Sequence, residues 1–137
     1  MFTEEALHKK SPEELTALLY EAFLSNLEEA KEAIAKKEFT EANTKLQKAS
    51  DILYRLGAGL NYEAGIIADQ LDEVYNYLAE SLIQANLTKE VEPIEEAIKL
   101  VTAISDAWNE AMEKKTDSLS HTTKQKNKAY EQFAIYE

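Results

Sequence analysis

Apolar residues recur along this chain at three- and four-residue steps, and the series restarts three times. Leu15, Leu18, Leu19, Ala22, Phe23, Leu27, Ala30 and Ile34 form the first stripe, with Tyr20 and Leu24 at its margin. That period predicts an amphipathic helix of about 24 residues, roughly 36 Å long. SPEEL marks its start: Ser11 is placed to cap, Pro12 takes the first helical position, and Glu14 completes a capping box. Lys36 and Lys37 suit the negative carboxyl end of the helix.

A second helix follows from the series Phe39, Ala42, Leu46, Ala49, Leu53, Leu56 and Leu60. It runs into GAGLNYEAG, where Gly57, Gly59 and Gly65, all the glycines of the chain, mark a turn. A third helix from about Ile66 directs Ile67, Leu71, Val74, Leu78, Leu82 and Ala85 inward. ANLTKEVEP breaks the pattern again, with Asn86 as a C-cap, Thr88 as an N-cap, and Pro93 tolerated in the first turn of a fourth helix.

The fourth helix carries more apolar surface than one face needs. Within AIKLVTAISDAWNEAM, Ile98, Val101, Ser105, Trp108 and Met112 make one stripe, while Ala97, Leu100, Ile104, Ala107 and Ala111 make a second beside it. Either the buried face is simply wide, or Leu100, Ile104 and the alanines floor a groove in which a partner helix lies. Trp108 is open to the same pair of readings, a buried aromatic or an interface anchor. Four helices joined by short loops predict an all-α, antiparallel up-and-down four-helix bundle over residues 1–112. Residues 113–137 divide into a polar linker, EKKTDSLSHTTKQKNK up to Lys128, and an apolar end, AYEQFAIYE. Tyr130, Phe133 and Ala134 share one face if that end is helical.

Composition narrows the function. The net charge is −11, from 26 acidic against 15 basic residues, which opposes binding to nucleic acid or an anionic membrane. No apolar run approaches the roughly 18 residues of a membrane span, and MFTEEALHKK lacks the apolar core of a signal peptide, so a soluble cytoplasmic protein is expected. With no cysteine, thiol chemistry is excluded. A di-metal carboxylate bundle needs two Glu-x-x-His pairs, yet only Glu5 with His8 matches, and His121 has Ser118 three residues before it. No nucleophile elbow and no phosphate-cradling loop occurs. These features predict no metal, no cofactor and no enzymatic activity.

The ordered segments SPEELTALLYEAF, FTEANTKLQKASDILYRL, LNYEAGIIADQLDEVYNYLAESLIQANL and AISDAWNEAM resemble the FliS family of bacterial flagellar export chaperones across residues 11–112. The resemblance rests on Ser11-Pro12, Leu19-Tyr20, Ala49 with Ile52 and Leu56, Gly65, Leu71 with Tyr75 and Tyr77, Ala85-Asn86 and Ala107-Trp108 taken together. It implies a helical bundle that holds the disordered C-terminal segment of flagellin until the export gate receives it. Export-gate components are thus further candidate partners. The candidate groove comprises Ile52, Leu56, Ala97, Leu100, Ile104, Ala107, Trp108 and Ala111.

Family members often begin with Asn-x-Tyr-x-x-Tyr and carry Thr-Ala before the Ser-Pro. Here Lys9-Lys10 stands in place of Thr-Ala, leaving Phe2 and Leu7 as apolar candidates for a groove cap. Asn127 to Phe133 is similar to the missing stretch, which makes Tyr130 and Phe133 a second candidate cap. A paralogue with another client, and a helical adaptor that homodimerises through its exposed stripe, are the alternatives.

Overall fold

Ser11 starts the first helix as expected: its Oγ accepts the backbone N–H of Glu14 at 3.2 Å, and Pro12 occupies the first turn. The Glu14 carboxylate turns to Lys10, 3.8 Å away. The computed structural model describes the backbone of residues 10–61 and 65–135, with side chains up to residue 114. Four helices follow in order, α1 (Pro12–Ala35), α2 (Phe39–Ala58), α3 (Ile66–Thr88) and α4 (Glu92–Ile135). Short connections reverse the chain after each of the first three, giving an all-α antiparallel bundle with no strand among the described residues.

The α1–α2 connection is a Schellman turn. The Glu38 N–H reaches the Ala33 carbonyl at 2.8 Å and the Lys37 N–H reaches that of Ile34 at 3.0 Å. Lys37 sits there at φ 60°, a left-handed position that glycine fills at less cost. In the loop before α3, Gly65 at φ 67° and ψ −124° holds a conformation that needs glycine.

The chain divides into two compact units, one ending at Ser105 and one beginning at Asp106, with α4 contributing to both. The core lies in the first. Phe23, Leu27 and Ala30 of α1 are buried, as are Leu46 and Ala49 of α2, Leu78, Leu82 and Ala85 of α3, and Ile94 and Val101 of α4. Each large member contributes about 1.5 to 3 kcal/mol through removal from water. Polar contacts fix which helices adjoin: Lys45 Nζ on α2 meets Glu29 of α1 at 2.7 Å, and Lys31 of α1 lies 3.8 Å from Glu95 of α4. Tyr20 Oη and Tyr75 Oη, 2.6 Å apart, join α1 to α3 in the interior.

Several expectations need correction. Tyr20, placed at the stripe's margin, is 1% exposed because Tyr75 supplies its hydroxyl with a buried partner. Ile67, expected inward, is exposed, and Ala68 and Tyr75 carry the buried stripe of α3 instead. Asn86 does not end α3, which continues to Thr88; its side chain bonds across to Asn43. Thr88 is the last residue of α3, where its hydroxyl donates to the Gln84 carbonyl and accepts the Glu90 N–H. Along α4 the buried seam runs between the two candidate stripes as Ile94, Ala97, Val101 and Ser105, leaving Ile98 half-buried. Residues 113–128, read as a polar linker, lie within α4, which continues to Ile135. That stretch contains neither glycine nor proline and is rich in Lys, Glu and Gln, so nothing in it stops a helix already nucleated.

Candidate functional site

Helices α2 and α3 adjoin, with Leu46, Leu53, Leu78 and Leu82 buried; their outer rows meet where Asn86 Nδ2 donates to Asn43 Oδ1 at 2.6 Å and part around Ser50. On α2 that row is Asn43, Gln47, Ser50, Tyr54 and Gly57; on α3 it is Asp72, Asn76, Ala79, Ile83 and Asn86. Both rows follow the three- and four-residue steps of a helix, so they face each other along the seam. Ser50, Gly57, Ala58 and Ala79 are too small to bridge the gap. The result is a furrow of two depressions, of ≈ 370 and ≈ 490 Å³, that meet at Ser50. Both are open along their length, unlike the enclosed pocket that buries a small molecule.

Apolar side chains edge this furrow while remaining in water. Tyr54 is 79% exposed, Ile83 59% and Leu87 77%. Further along α3, Tyr77, Ile66 and Ile67 are exposed as well. Tyr54, Ile83 and Leu87, grouped along the furrow, make a surface suited to cover by another molecule. The Tyr20–Tyr75 pair lies beneath one depression, whose lining includes Tyr75. Burial raises the pKa of the Tyr20 hydroxyl above its ordinary value, with the Tyr75 hydrogen bond opposing. Burial and then the bond to Tyr20 raise that of Tyr75. Both hydroxyls are therefore neutral at physiological pH and hold the furrow's floor in place without a charge.

The family described as "Flagellar protein FliS" matches residues 3–115. The chain belongs to the FliS family. It is 34% identical over 109 residues to the "Flagellar secretion chaperone FliS" of Salmonella typhimurium, covering 78% of this chain and 81% of that protein. It is 29% identical over 112 residues to the protein of the same name in Bacillus subtilis, covering 82% and 84%. The Escherichia coli protein of that name is 30% identical over 111 residues, covering 80% and 82%.

The residues that the FliS resemblance singled out are placed unevenly. Ile52, Leu56 and Ala97 are buried in the free protein. Leu100 and Ile104 are half-buried on α4 of the first unit; in the second, Trp108 is half-buried and Ala107 and Ala111 are exposed. Phe2 and Leu7, and the side chains of Tyr130 and Phe133, lie outside the described residues. Tyr54, Ile83 and Leu87 were missed. Their signal was present: Ala79, Ile83 and Leu87 step by four beside the core series of α3, as the second stripe of α4 does beside its own.

Among the described residues no group of three or more His, Asp or Glu side chains is placed to hold a metal ion. No helix among them is long and apolar enough to cross a membrane.

Proposed function

We propose that this protein is a cytoplasmic export chaperone that holds the disordered C-terminal segment of flagellin, keeping it from premature polymerisation until flagellar type III export. The observation that carries this reading is the α2–α3 furrow with Tyr54, Ile83 and Leu87 exposed along it, on a chain of the FliS family. Relatives named as flagellar secretion chaperones support it.

A disordered segment that folds on binding loses several kcal/mol to ordering, which a long, preformed apolar surface offsets. The furrow meets that need. Its small residues let a client backbone approach closely, and its apolar edges embrace an amphipathic helix laid between them. The half-buried Leu100 and Ile104 on α4 are candidates for further contact with the same client. Holding and releasing a client in this way is a binding function that needs no covalent step.

Isothermal titration of the full chain with a synthetic peptide of the flagellin C-terminal segment tests the proposal, with light scattering run alongside. A saturable one-to-one complex formed by a monomer is expected. A stable dimer that gives no heat with the peptide points instead to the homodimerising adaptor. A monomer that ignores the peptide but retains another flagellar protein from its native cytoplasm points to a different client.

A further inference from the structure

The two ends of the furrow differ in what they offer a partner. Near the carboxyl end of α3, Lys89 Nζ donates to the Asn86 carbonyl oxygen at 2.6 Å and also to Asn86 Oδ1. Asn86 Nδ2 in turn donates to Asn43 Oδ1 at 2.6 Å. An ammonium group only donates, so it dictates the direction of the whole relay, and both amide oxygens are engaged. This end of the furrow is lined by the Asn43 amide, whose oxygen is taken and whose nitrogen is a donor, and by the positively charged Lys89 ammonium.

The other end carries the opposite character. Asp72 lines it, a carboxylate that only accepts, and Asp69 stands three residues before it on α3. Helices α2 and α3 run antiparallel, so their dipoles oppose at each end and the side chains decide the sign. A docked helix has matching ends: unpaired N–H groups and partial positive charge at its start, unpaired carbonyls and partial negative charge at its finish.

We propose that the furrow binds its client helix in one direction, with the amino end over Gly57 and Asp72 and the carboxyl end over Asn43, Asn86 and Lys89. The inference rests on the chaperone reading above, and adds a polarity that apolar contact alone does not impose. From Asn43 to Gly57 the furrow spans about 21 Å, which accommodates roughly four helical turns. Apolar edges supply affinity, while the donor cluster and the carboxylate reject a helix laid in reverse, because a reversed helix sets carbonyls against Asp72 and N–H groups against Lys89.

Paramagnetic broadening in the ¹⁵N-labelled full chain tests the direction. The flagellin C-terminal peptide is prepared twice, with a nitroxide at its amino-terminal or its carboxy-terminal residue. The amino-terminal label is expected to broaden the amides of Gly57 and Asp72 more strongly, and the carboxy-terminal label those of Asn86 and Lys89. The reverse pattern, or equal broadening at both ends, overturns the directionality while leaving the chaperone reading intact. If the unlabelled peptide shifts no resonance of α2 or α3, the chaperone reading at this furrow fails and the directionality with it. As a second arm, the double variant Asp72→Lys, Lys89→Glu inverts both ends and is expected to weaken peptide binding by about tenfold. Unchanged affinity in a variant with wild-type circular dichroism overturns the proposal.

Discussion

Leu82 and Ile83 are neighbours in sequence with opposite expected fates on mutation. Leu82 is 1% exposed and Ile83 59%. Complete burial of such a side chain is worth about 1.5 to 3 kcal/mol, so covering the exposed part of Ile83 contributes roughly 0.9 to 1.8 kcal/mol to a complex. Leu87, one helical turn on and 77% exposed, contributes roughly 1.2 to 2.3 kcal/mol by the same proportion. Replacing both by serine should therefore weaken flagellin peptide binding by about 2 to 4 kcal/mol, between roughly thirtyfold and several hundredfold. The β-carbons that serine retains place the result toward the lower end. Folding should change by no more than about 1 kcal/mol per site, since by the same proportion the part already covered in the free protein is worth roughly 0.6 to 1.2 kcal/mol for Ile83 and 0.3 to 0.7 kcal/mol for Leu87. Leu82→Ala should instead cost about 2 to 5 kcal/mol of stability. Peptide titration and thermal melts on the three proteins decide the matter. If the double serine variant binds the peptide within twofold of wild type, the furrow is not the client site. If it melts as early as Leu82→Ala, these residues serve packing rather than recognition.

The raised pKa values of Tyr20 and Tyr75 keep both hydroxyls protonated in the fold. Their contribution is therefore fully present below the ordinary tyrosine value of about 10 and is lost as pH rises beyond it. Melting temperature should fall above about pH 10, and a Tyr20→Phe, Tyr75→Phe variant should show a shallower alkaline decline; equal slopes would count against the pair. Lys37→Gly relieves a left-handed lysine and should stabilise by about 1 kcal/mol, read as a higher urea midpoint with an unchanged slope. Gly65→Ala should cost about 1 to 3 kcal/mol in the same assay, because no neighbour obstructs the new β-carbon but the backbone conformation does. On α4, Val101→Asp should unfold the bundle, whereas Ile104→Glu should lower peptide affinity with a smaller loss of stability; melts showing equal losses would place both in the core.

Much of the helical plan could be read directly from local sequence. Ser11-Pro12 placed the start of α1, the beginnings of α2 at Phe39 and α3 at Ile66 followed from the apolar series, and Gly57 to Gly65 marked the intervening turn. These signals succeed because capping, turn geometry and helical period act over a few residues. Where a local signal was weak, the sequence left the helix's extent open: the polar stretch 113–128 has no apolar stripe, yet it contains neither glycine nor proline to stop a helix.

The apolar stripes were visible in the sequence, but the side of each stripe that faces inward was decided by packing. On α4 two adjacent series competed, and contact with the bundle selected a seam between them, taking Ala97 from one and Val101 from the other. Tyr20 looked marginal until Tyr75, fifty-five residues away, was brought within 2.6 Å of it. The furrow belongs to the same class. Asn43, Ser50, Ala79 and Ile83 are unremarkable along the chain and become a site only where two helices align. Sequence by itself determined helix positions and the acidic, cysteine-free character of the chain, because these depend on near neighbours and composition. Tertiary structure decided which apolar residues stay in water, because exposure depends on whether a distant side chain fills the space beside them.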